Sequence, residues 1–162
     1  MITLLPVRPA HRETIADWLH SDHVSKWWGD PVERLKQFDD TGPDNHALIA
    51  RHDQPIGYVC WEMVDPEALA AVGLDAIPPR SIDIDIFIGS SDETNRGAGP
   101  AALERLFARL AETTDAPLAG LCTSVKNVRA HRAFRRAGCE RLTDFDDPLY
   151  GPCHVFVRYL RR

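Results

Sequence analysis

A glycine-rich hexapeptide between an apolar segment and an amphipathic segment is the part of this sequence that most directly suggests chemistry. It would place main-chain N–H groups, uncrowded by side chains, at a helix start, where orphan donors and the helix dipole favour an anion. Glycine also lets a group as large as a pyrophosphate approach the main chain. Taken alone, the hexapeptide fits equally well a tight turn into a helix. Its residues are Arg96, Gly97, Ala98, Gly99, Pro100 and Ala101.

The flanking segments predict the elements that position this hexapeptide. Residues 81–89 alternate apolar and acidic side chains and become continuously apolar at 86–88, which predicts a half-buried strand with a bulge or a change of burial there. Pro100 has no N–H to donate, which is tolerated if it is the first helical residue. The apolar side chains that follow recur at i, i+3, i+4 and i+7 and predict the clearest helix in the chain; they are Leu103, Leu106, Phe107 and Leu110.

Two sequence blocks together resemble the GNAT superfamily of N-acetyltransferases. R-x-x-G-x-A at 96–101, after an apolar strand, resembles its acetyl-CoA pyrophosphate loop, and residues 127–139 resemble its N-x-R-A-x-x-x-[YF]-x-x-x-G-F helix beside the pantetheine arm. The resemblance implies one domain over 1–162, with a mixed, mostly antiparallel twisted sheet, a central splay and helices on both faces. It also implies acetyl-CoA as co-substrate, bound by Ile86, Phe87, Ile88, the loop 96–101, Asn127, Ala130 and Phe134.

A third block narrows the resemblance. Residues 18–29 are similar to the W-L-x-x-x-H-x-x-x-W-W-G signature of aminoglycoside 6'-N-acetyltransferases and the related hydroxamate-siderophore acetyltransferases. P-I-G-Y at 55–58 and I-D-x-F-I-G at 84–89 match the same subgroup, and the aspartate of the latter motif is the proposed catalytic residue of the aminoglycoside enzymes. The resemblance therefore implies that Asp85 is catalytic. The side chains it implies at the amine substrate are His23, Trp27, Trp28, Asp85 and Asp147.

The chemistry of amine acetylation supports the choice of Asp85. An alkyl ammonium is mostly protonated at neutral pH, and freeing its lone pair costs roughly 4 kcal/mol for a lysine-like amine. A carboxylate at the reacting end of the strand can anchor the cation and accept its proton, directly or through water. A backbone N–H at the irregularity of Ile86–Ile88 could stabilise the thioester oxyanion. The amine would then attack directly, and no cysteine would form an acyl-enzyme.

Each candidate side chain also has a plain structural interpretation. Asp85 could simply face solvent from its strand. Trp27 and Trp28 fit a core as well as an aromatic wall for a sugar ring or aliphatic amine. His23 fits a histidine bonded to nearby backbone as well as a substrate contact. Asp147 lies in an acidic run that fits a solvated loop, although in the similar enzymes the loop before the last strand faces the acceptor.

Two positions depart from the pattern of the similar enzymes. Phe134 stands where many relatives have a tyrosine that can protonate the leaving CoA thiolate, so water must do this or the thiolate leaves unaided. Ser124 stands where aminoglycoside enzymes of this type carry an aspartate, so one acidic contact to the acceptor is missing. Both changes concern catalysis and the acceptor, and neither affects the CoA loop.

Composition excludes several classes of protein. The 162 residues carry a net charge of −5, which argues against a nucleic-acid binder and suits a cationic small molecule. No apolar run approaches the roughly 20 residues that a bilayer requires, and the first residues lack a signal-peptide pattern. The four cysteines form no C-x-x-C pair and the histidines are scattered, so we expect no metal site and a reduced, cytoplasmic protein.

The remaining patterns complete a mixed α/β fold. Residues 65–80 predict a loop with at most one helical turn, and Gly138 predicts a left-handed helix cap. Helices are predicted from His11 to before Ser21, shortly after Asp30, and over 127–137. The predicted strands, besides 81–89, are 2–7, 47–51, 56–64, 118–123, 141–145 and 154–160.

The sequence thus predicts transfer of acetyl from acetyl-CoA to a primary amine, with an aminoglycoside-like polyamine as acceptor. A hydroxylysine-type siderophore precursor or a protein amine is the alternative acceptor. A CoA-binding module without turnover is the alternative of another class, suggested by Phe134. The partners predicted are a small-molecule amine and, at most, a second copy of the chain; no nucleic acid or membrane is expected.

Overall fold

The computed structural model describes residues 1–161. Its strands are β1 (Ile2–Leu5), β2 (His46–Arg51), β3 (Gln54–Met63), β4 (Ile82–Ile88), β5 (Leu118–Ser124), β6 (Glu140–Asp147) and β7 (Gly151–Tyr159). Its α-helices are α1 (Arg12–His20), α2 (Asp22–Trp28), α3 (Pro31–Asp40), α4 (Pro66–Ala71), α5 (Ala98–Thr113) and α6 (Val128–Arg136). Short 3-10 helices cover Pro9–His11 and Ser91–Glu93.

The strands form a sheet in the order β1-β2-β3-β4-β5-β7-β6. Pairing is antiparallel between β1 and β2, β2 and β3, β5 and β7, and β7 and β6, whereas β4 and β5 run parallel. The parallel pairing joins Ile82 to Ala119 and Asp83 to Gly120, and so covers the first two residues of β4. The mixed, mostly antiparallel sheet confirms the predicted fold class.

The chain divides into two compact units. The first comprises Met1–Cys60 and Asp85–Ala102, and the second comprises Trp61–Ile84 and Leu103–Arg162. The divisions fall inside β3, β4 and α5, so each of these elements contributes residues to both units. That 1–162 behaves as one domain stays a prediction.

The core of the first unit is built on the apolar faces of α1 and α2. Ile15 and Leu19, four residues apart in α1, lie on one face of that helix, and Val24 extends the apolar surface from α2. These buried side chains pack with Leu48 of β2 and Phe87 of β4. The packing brings the three-helix segment at the start of the chain onto the strand that carries the predicted catalytic aspartate.

The core of the second unit is formed by β5, β7 and α6. Phe156 and Val157 of β7 are completely buried, and the ring of Phe134 from α6 contacts Phe156 edge-on. Gly138 follows α6 with φ of +83°, the left-handed conformation that glycine adopts without strain, which confirms the predicted cap. A Cβ at Gly138 would meet only the flexible end of the Arg158 side chain, so the left-handed φ is what restricts this position to glycine.

Helix α2 is absent from the sequence prediction. It has only seven residues, too few for an apolar period to stand out, and the sequence pattern at Ser21 predicts only the end of α1. Ser21 in fact serves both helices, because it follows the last residue of α1 and is the N-cap of α2. The next helix matches its prediction: Asp30 caps α3 by accepting the N–H of Val32, and Pro31 is the first helical residue.

The last two strands are longer than predicted. The sequence predicts a loop over 146–152, whereas the connection between β6 and β7 has only the three residues 148–150. The acidic run favours a loop by propensity, but pairing with β7 keeps it in a strand. Asp147 Oδ1 accepts the N–H groups of Leu149 (2.8 Å) and Tyr150 (2.9 Å), which shapes the short turn. Within the segment predicted as a loop over 65–80, α4 forms six helical residues.

Two buried histidines make stability depend on pH. Burial lowers the pKa of His46, and burial together with the neighbouring His154 lowers the pKa of His131, both below the ordinary 6.5. The unfolded chain therefore binds protons first on acidification, so the free energy of unfolding falls as the pH drops below about 6.5.

Urea unfolding at neutral and mildly acidic pH measures the slope of the free energy of unfolding against pH. We expect His131→Phe, which can keep the stacking on Phe156, to reduce the slope, and His20→Gln on the exposed surface to leave it unchanged. Equal slopes in all three proteins would contradict this prediction.

Candidate active site

Asp85 lies where β4 changes its pattern of burial. Residues 82–85 alternate between buried and half-buried, but Ile86 is half-buried where the alternation requires burial, and Phe87 is buried. The change of burial predicted for Ile86–Ile88 is therefore present. Asp85 and Phe87, two residues apart in the strand, share a face of β4.

An aromatic cluster lies on that face of β4. The Phe87 ring contacts the rings of Trp18, Trp28 and Tyr58, with centroids 6.1, 4.8 and 5.7 Å away. Burial chiefly raises the pKa of Tyr58, with smaller contributions from Cys60 and from the negative charge of Asp85. Asp85 is thus half-buried at the margin of an apolar cluster, where a carboxylate attracts a cation more strongly than it would in bulk water.

The three residues of the His-Trp-Trp signature all lie on helix α2, but they have different contacts. His23 Nε2 donates to the main-chain oxygen of Ile88 (3.0 Å), and Trp28 Nε1 donates to that of Ile86 (3.4 Å). Trp27 is half-buried, with the Lys26 ammonium 4.8 Å from its ring centroid. His23 and Trp28 therefore contact the edge of β4, whereas the Lys26 ammonium lies over the ring of Trp27. The substrate contacts predicted for all three stay predictions.

The glycine-rich loop is a turn with two left-handed residues that leads into α5. Asn95 has φ of +62° and Gly97 has φ of +79°. Helix α5 begins at Ala98, two residues earlier than the sequence suggested, so Pro100 is the third helical residue. The position is still tolerated, because N–H groups in the first turn have no acceptor within the helix. The amides of Ala98 and Gly99 precede the proline in that first turn, where N–H groups have no acceptor within the helix.

A half-buried carboxylate, Glu93, anchors this loop, and sequence reasoning missed it. Glu93 is 15% exposed and bonds Arg51 of β2 at 2.8 Å and Arg96 at 3.3 Å. Arg51 also donates to the main-chain oxygen of Arg96 (3.4 Å). The i, i+3 spacing of Glu93 and Arg96 was the one available signal, since the third partner is distant in sequence. Glu93 thus ties the residue that opens the glycine loop to the end of β2.

Replacing Glu93 tests whether this anchor supports the loop. Glu93→Gln keeps the side-chain shape but leaves two guanidinium groups without their carboxylate, so we expect the loop to shift and the KM for acetyl-CoA to rise about fivefold, or roughly 1 kcal/mol. The matched control is Asp39→Asn, which breaks an exposed pair with Arg12 in the same unit. Steady-state kinetics with acetyl-CoA as the varied substrate measures the effect. An unchanged KM in Glu93→Gln would show that the anchor is irrelevant to binding.

The predicted residues on α6 lie in the second unit. Asn127 caps α6, since its Oδ1 accepts the N–H of Ala130 (3.3 Å) and its Nδ2 donates to Thr123 Oγ1 (3.1 Å). Phe134 is buried. Ser124, at the position where an aspartate was expected, accepts the N–H of Lys126 (3.2 Å). These contacts explain the local fold, and the CoA contacts of α6 remain predictions.

Asp147, the other predicted substrate ligand, closes the turn after β6 through the two N–H groups described above. Its neighbour Asp144 bonds His154 (2.6 Å) and Arg141. The bonds with Arg141 and His154 lower the pKa of Asp144. The acidic run is therefore part of a hairpin with assigned partners, and a substrate contact for Asp147 stays a prediction.

Two other structural features are absent from residues 1–161. Within residues 1–161, no cluster of three or more histidine, cysteine or acidic side chains is arranged to hold a metal ion. In the same part of the chain, no helix combines the length and the apolar character needed to span a bilayer.

Comparison with known families identifies the fold and the enzyme class. Residues 8–147 match the family described as "Acetyltransferase (GNAT) domain". The chain belongs to this family. The match confirms the prediction made from the glycine loop and the α6 block, and with it the acetyltransferase class and acetyl-CoA as co-substrate. No curated protein sequence matches the chain.

Solved structures of GNAT acetyltransferases are similar over almost the whole chain. The aminoglycoside acetyltransferase AAC(6')-Ib in complex with coenzyme A has a TM-score of 0.80 at 21% identity, covering 98% of this chain and 95% of that one. The aminoglycoside N(6')-acetyltransferase of Legionella pneumophila has a TM-score of 0.78 at 17% identity, covering 98% and 92%. A ribosomal L7/L12 α-N-protein acetyltransferase in complex with coenzyme A has 0.70 at 12%, covering 98% and 93%. These similarities support the fold.

Proposed function

We propose that this GNAT enzyme acetylates a primary amine of an aminoglycoside-like polyamine by direct attack on acetyl-CoA. The observation that carries the proposal is the continuous segment Asp85–Ala101, in which a half-buried carboxylate, a strand edge and a glycine-rich helix start follow one another. The same segment can hold the diphosphate at one end and the reacting amine at the other.

Acetyl-CoA is bound mainly by main-chain groups in this proposal. The diphosphate lies against the amides of Ala98 and Gly99, where the positive end of the α5 dipole also acts. The edge of β4 at Ile86–Ile88 receives the acyl end of the pantetheine arm. Asn127, Ala130 and Phe134 are proposed to contact that arm from α6, as the resemblance implies.

The chemical step is a direct acyl transfer. Asp85 anchors the substrate ammonium and takes its proton, directly or through water. The neutral amine nitrogen then attacks the thioester carbonyl and the C–N bond forms; the nitrogen gives its second proton to water, and the C–S bond breaks to release the CoA thiolate. A main-chain N–H of β4 stabilises the negative oxygen meanwhile. Since Phe134 has no hydroxyl, the thiolate takes a proton from water or leaves unprotonated.

The acceptor is assigned from the charge and aromatic residues on the first unit. Half-buried Trp27 is proposed to pack against a sugar ring, Asp85 supplies a negative charge, and the whole chain carries a charge of −5, which together suit a hydrophilic polycation. Asp147 is proposed as a further ligand for an ammonium group. The W-L-x-x-x-H-x-x-x-W-W-G signature supports the same choice, as do the similar enzymes crystallised with coenzyme A and kanamycin.

We place the enzyme in the cytoplasm, as a monomer or homodimer. None of the four cysteines, which all lie within residues 1–161, forms a disulfide, and this fits a reducing compartment. Sedimentation of the purified protein would distinguish the two oligomeric states.

A panel of acceptors tests the proposal by release of free CoA thiol. We expect the highest kcat/KM with an aminoglycoside that carries a 6'-amine, and none with the matched compound that carries a 6'-hydroxyl. Greater activity with an N-hydroxylysine-type amine or a peptide amine would replace the acceptor but keep the reaction. Binding of acetyl-CoA with no thiol release from any amine would favour the non-catalytic module that Phe134 suggests.

A further inference from the structure

Two side chains of helix α2 donate hydrogen bonds to the main chain of β4. His23 donates to the carbonyl oxygen of Ile88, and Trp28 donates to that of Ile86, two residues earlier. We infer that these two residues position the strand edge on which the acyl group reacts. The inference rests on the proposed function and deepens it, because it assigns His23 and Trp28 as positioning residues that act through the main chain of β4.

The directions of the peptide groups follow from their contacts with β3. The N–H of Gly89 donates to Ile56 O (2.8 Å), so the carbonyl of Ile88, on the opposite side of the same trans peptide, points away from β3. The oxygen of Phe87 lies against Gly57 of β3, where a Cβ would come within 2.5 Å of it. The N–H of Ile88, which shares that peptide, therefore also points away from β3.

The outer edge of β4 consequently presents an N–H between two carbonyls. The N–H is that of Ile88, and the carbonyls are those of Ile86 and Ile88, which accept from Trp28 and His23. An oxyanion needs the N–H, whereas uncompensated carbonyl oxygens beside it would repel the developing charge. The two donors of α2 fix the orientation of the peptide planes. They also offset the negative charge on the carbonyl oxygens of Ile86 and Ile88.

The surrounding contacts make this arrangement rigid. The ring of Trp28 contacts Phe87 edge-on, at 4.8 Å between centroids and 88° between planes. Arg34 Nε donates to the main-chain oxygen of Trp28 (2.6 Å) and so holds the last residue of α2. Gly89 allows the ring of Trp18 to pack closely against the end of β4, because a Cβ at this residue would lie 2.1 Å from that ring. The strand edge is thus held by packing as well as by hydrogen bonds.

The contact also fixes the state of the His23 ring. A carbonyl oxygen can only accept, so Nε2 of His23 carries a proton in this bond. A glutamine can present an amide N–H at a similar reach, whereas leucine cannot donate. The pair His23→Gln and His23→Leu therefore separates the donated bond from the volume of the side chain.

Kinetics and spectroscopy of these variants test the inference. We expect His23→Leu to lower kcat about tenfold while the KM for acetyl-CoA changes less than about threefold, because one well-placed oxyanion donor is worth more than this. The infrared band of bound acetyl-CoA labelled with carbon-13 at its carbonyl should move to higher frequency, as polarisation weakens. His23→Gln should restore both, and Trp28→Phe should give a smaller loss of kcat. His20→Gln, on the exposed side of α1, is the matched control.

Amide hydrogen exchange keeps this test separate from the test of the proposed function. Exchange at Gly89 in the free protein should be faster in His23→Leu and restored in His23→Gln. If the wild-type protein releases no thiol, the proposed function fails, and the exchange data still decide whether α2 holds the strand. The inference would be overturned if His23→Leu had the same kcat, the same carbonyl band and the same exchange rate at Gly89 as the wild-type protein.

Discussion

Replacing Asp85 by Asn is expected to lower kcat by about 10²- to 10⁴-fold, the usual range for loss of a general base. The amide keeps the size of the side chain and can still accept a hydrogen bond, but it carries no charge and takes up no proton. The substrate ammonium then loses both its anchor and its proton acceptor. Because Asp85 does not contact the diphosphate in this proposal, the affinity for acetyl-CoA should change little. Single-turnover kinetics with a 6'-amino aminoglycoside, together with calorimetric binding of acetyl-CoA, measures the two effects separately.

Asp83 provides the matched control for this experiment. It lies two residues before Asp85 in the same strand, and both are half-buried. Asp83→Asn makes the same chemical change without touching the proposed reaction, so its kcat should stay within about twofold of wild type. Equal losses in the two variants would mean that the strand tolerates neither change. A wild-type kcat in Asp85→Asn would remove Asp85 from the mechanism.

The second large effect is expected at Gly97, the last residue before α5. Its φ of +79° is costly for any residue with a Cβ, by roughly 1–2 kcal/mol. In Gly97→Ala the loop can relieve this strain only by moving, which displaces the amides of Ala98 and Gly99 from the diphosphate. We therefore expect the Kd for acetyl-CoA to rise about tenfold or more, equivalent to about 1.4 kcal/mol or more.

Gly73 provides a control for the backbone strain that an alanine introduces at Gly97. It has a φ of +78°, and a Cβ added there would meet no atom within 4 Å. Gly73→Ala therefore imposes nearly the same backbone strain as Gly97→Ala at a place remote in sequence from the loop. Calorimetry of both variants should show weaker acetyl-CoA binding in Gly97→Ala alone. Similar Kd values for the two variants would contradict the proposed diphosphate site.

The segment with the strongest local signals was predicted most accurately. Alternation over 81–89 and the apolar period of α5 are local patterns, and the burial change at Ile86 and the strand–loop–helix order follow from them. The cap at Gly138 and the cap at Asp30 were also predicted, because each depends on one residue and its immediate neighbours. Helix α2 was missed since its seven residues gain their stability by packing Val24 into the core, a non-local effect.

The contacts that shape the candidate site could be predicted only in part. The His-Trp-Trp signature predicts substrate contacts for His23 and Trp28. Their hydrogen-bond partners are main-chain oxygens more than fifty residues away, and a pattern of side chains carries no information about such partners. The same holds for Glu93, whose partner Arg51 lies on a distant strand. The sequence therefore names candidate residues, whereas the contacts of these residues follow from the fold.

The most direct measurement of the central claim is a nuclear magnetic resonance titration of nitrogen-15-labelled protein with acetyl-CoA. We expect large, saturable shifts of the amide signals of Ala98 and Gly99, since their N–H groups would bind the diphosphate, with further shifts at the adjacent Gly97 and at Ile88 on the strand edge. Pro100 has no amide and gives no signal. If these amides stayed unshifted at saturating acetyl-CoA, the account of the site would be wrong.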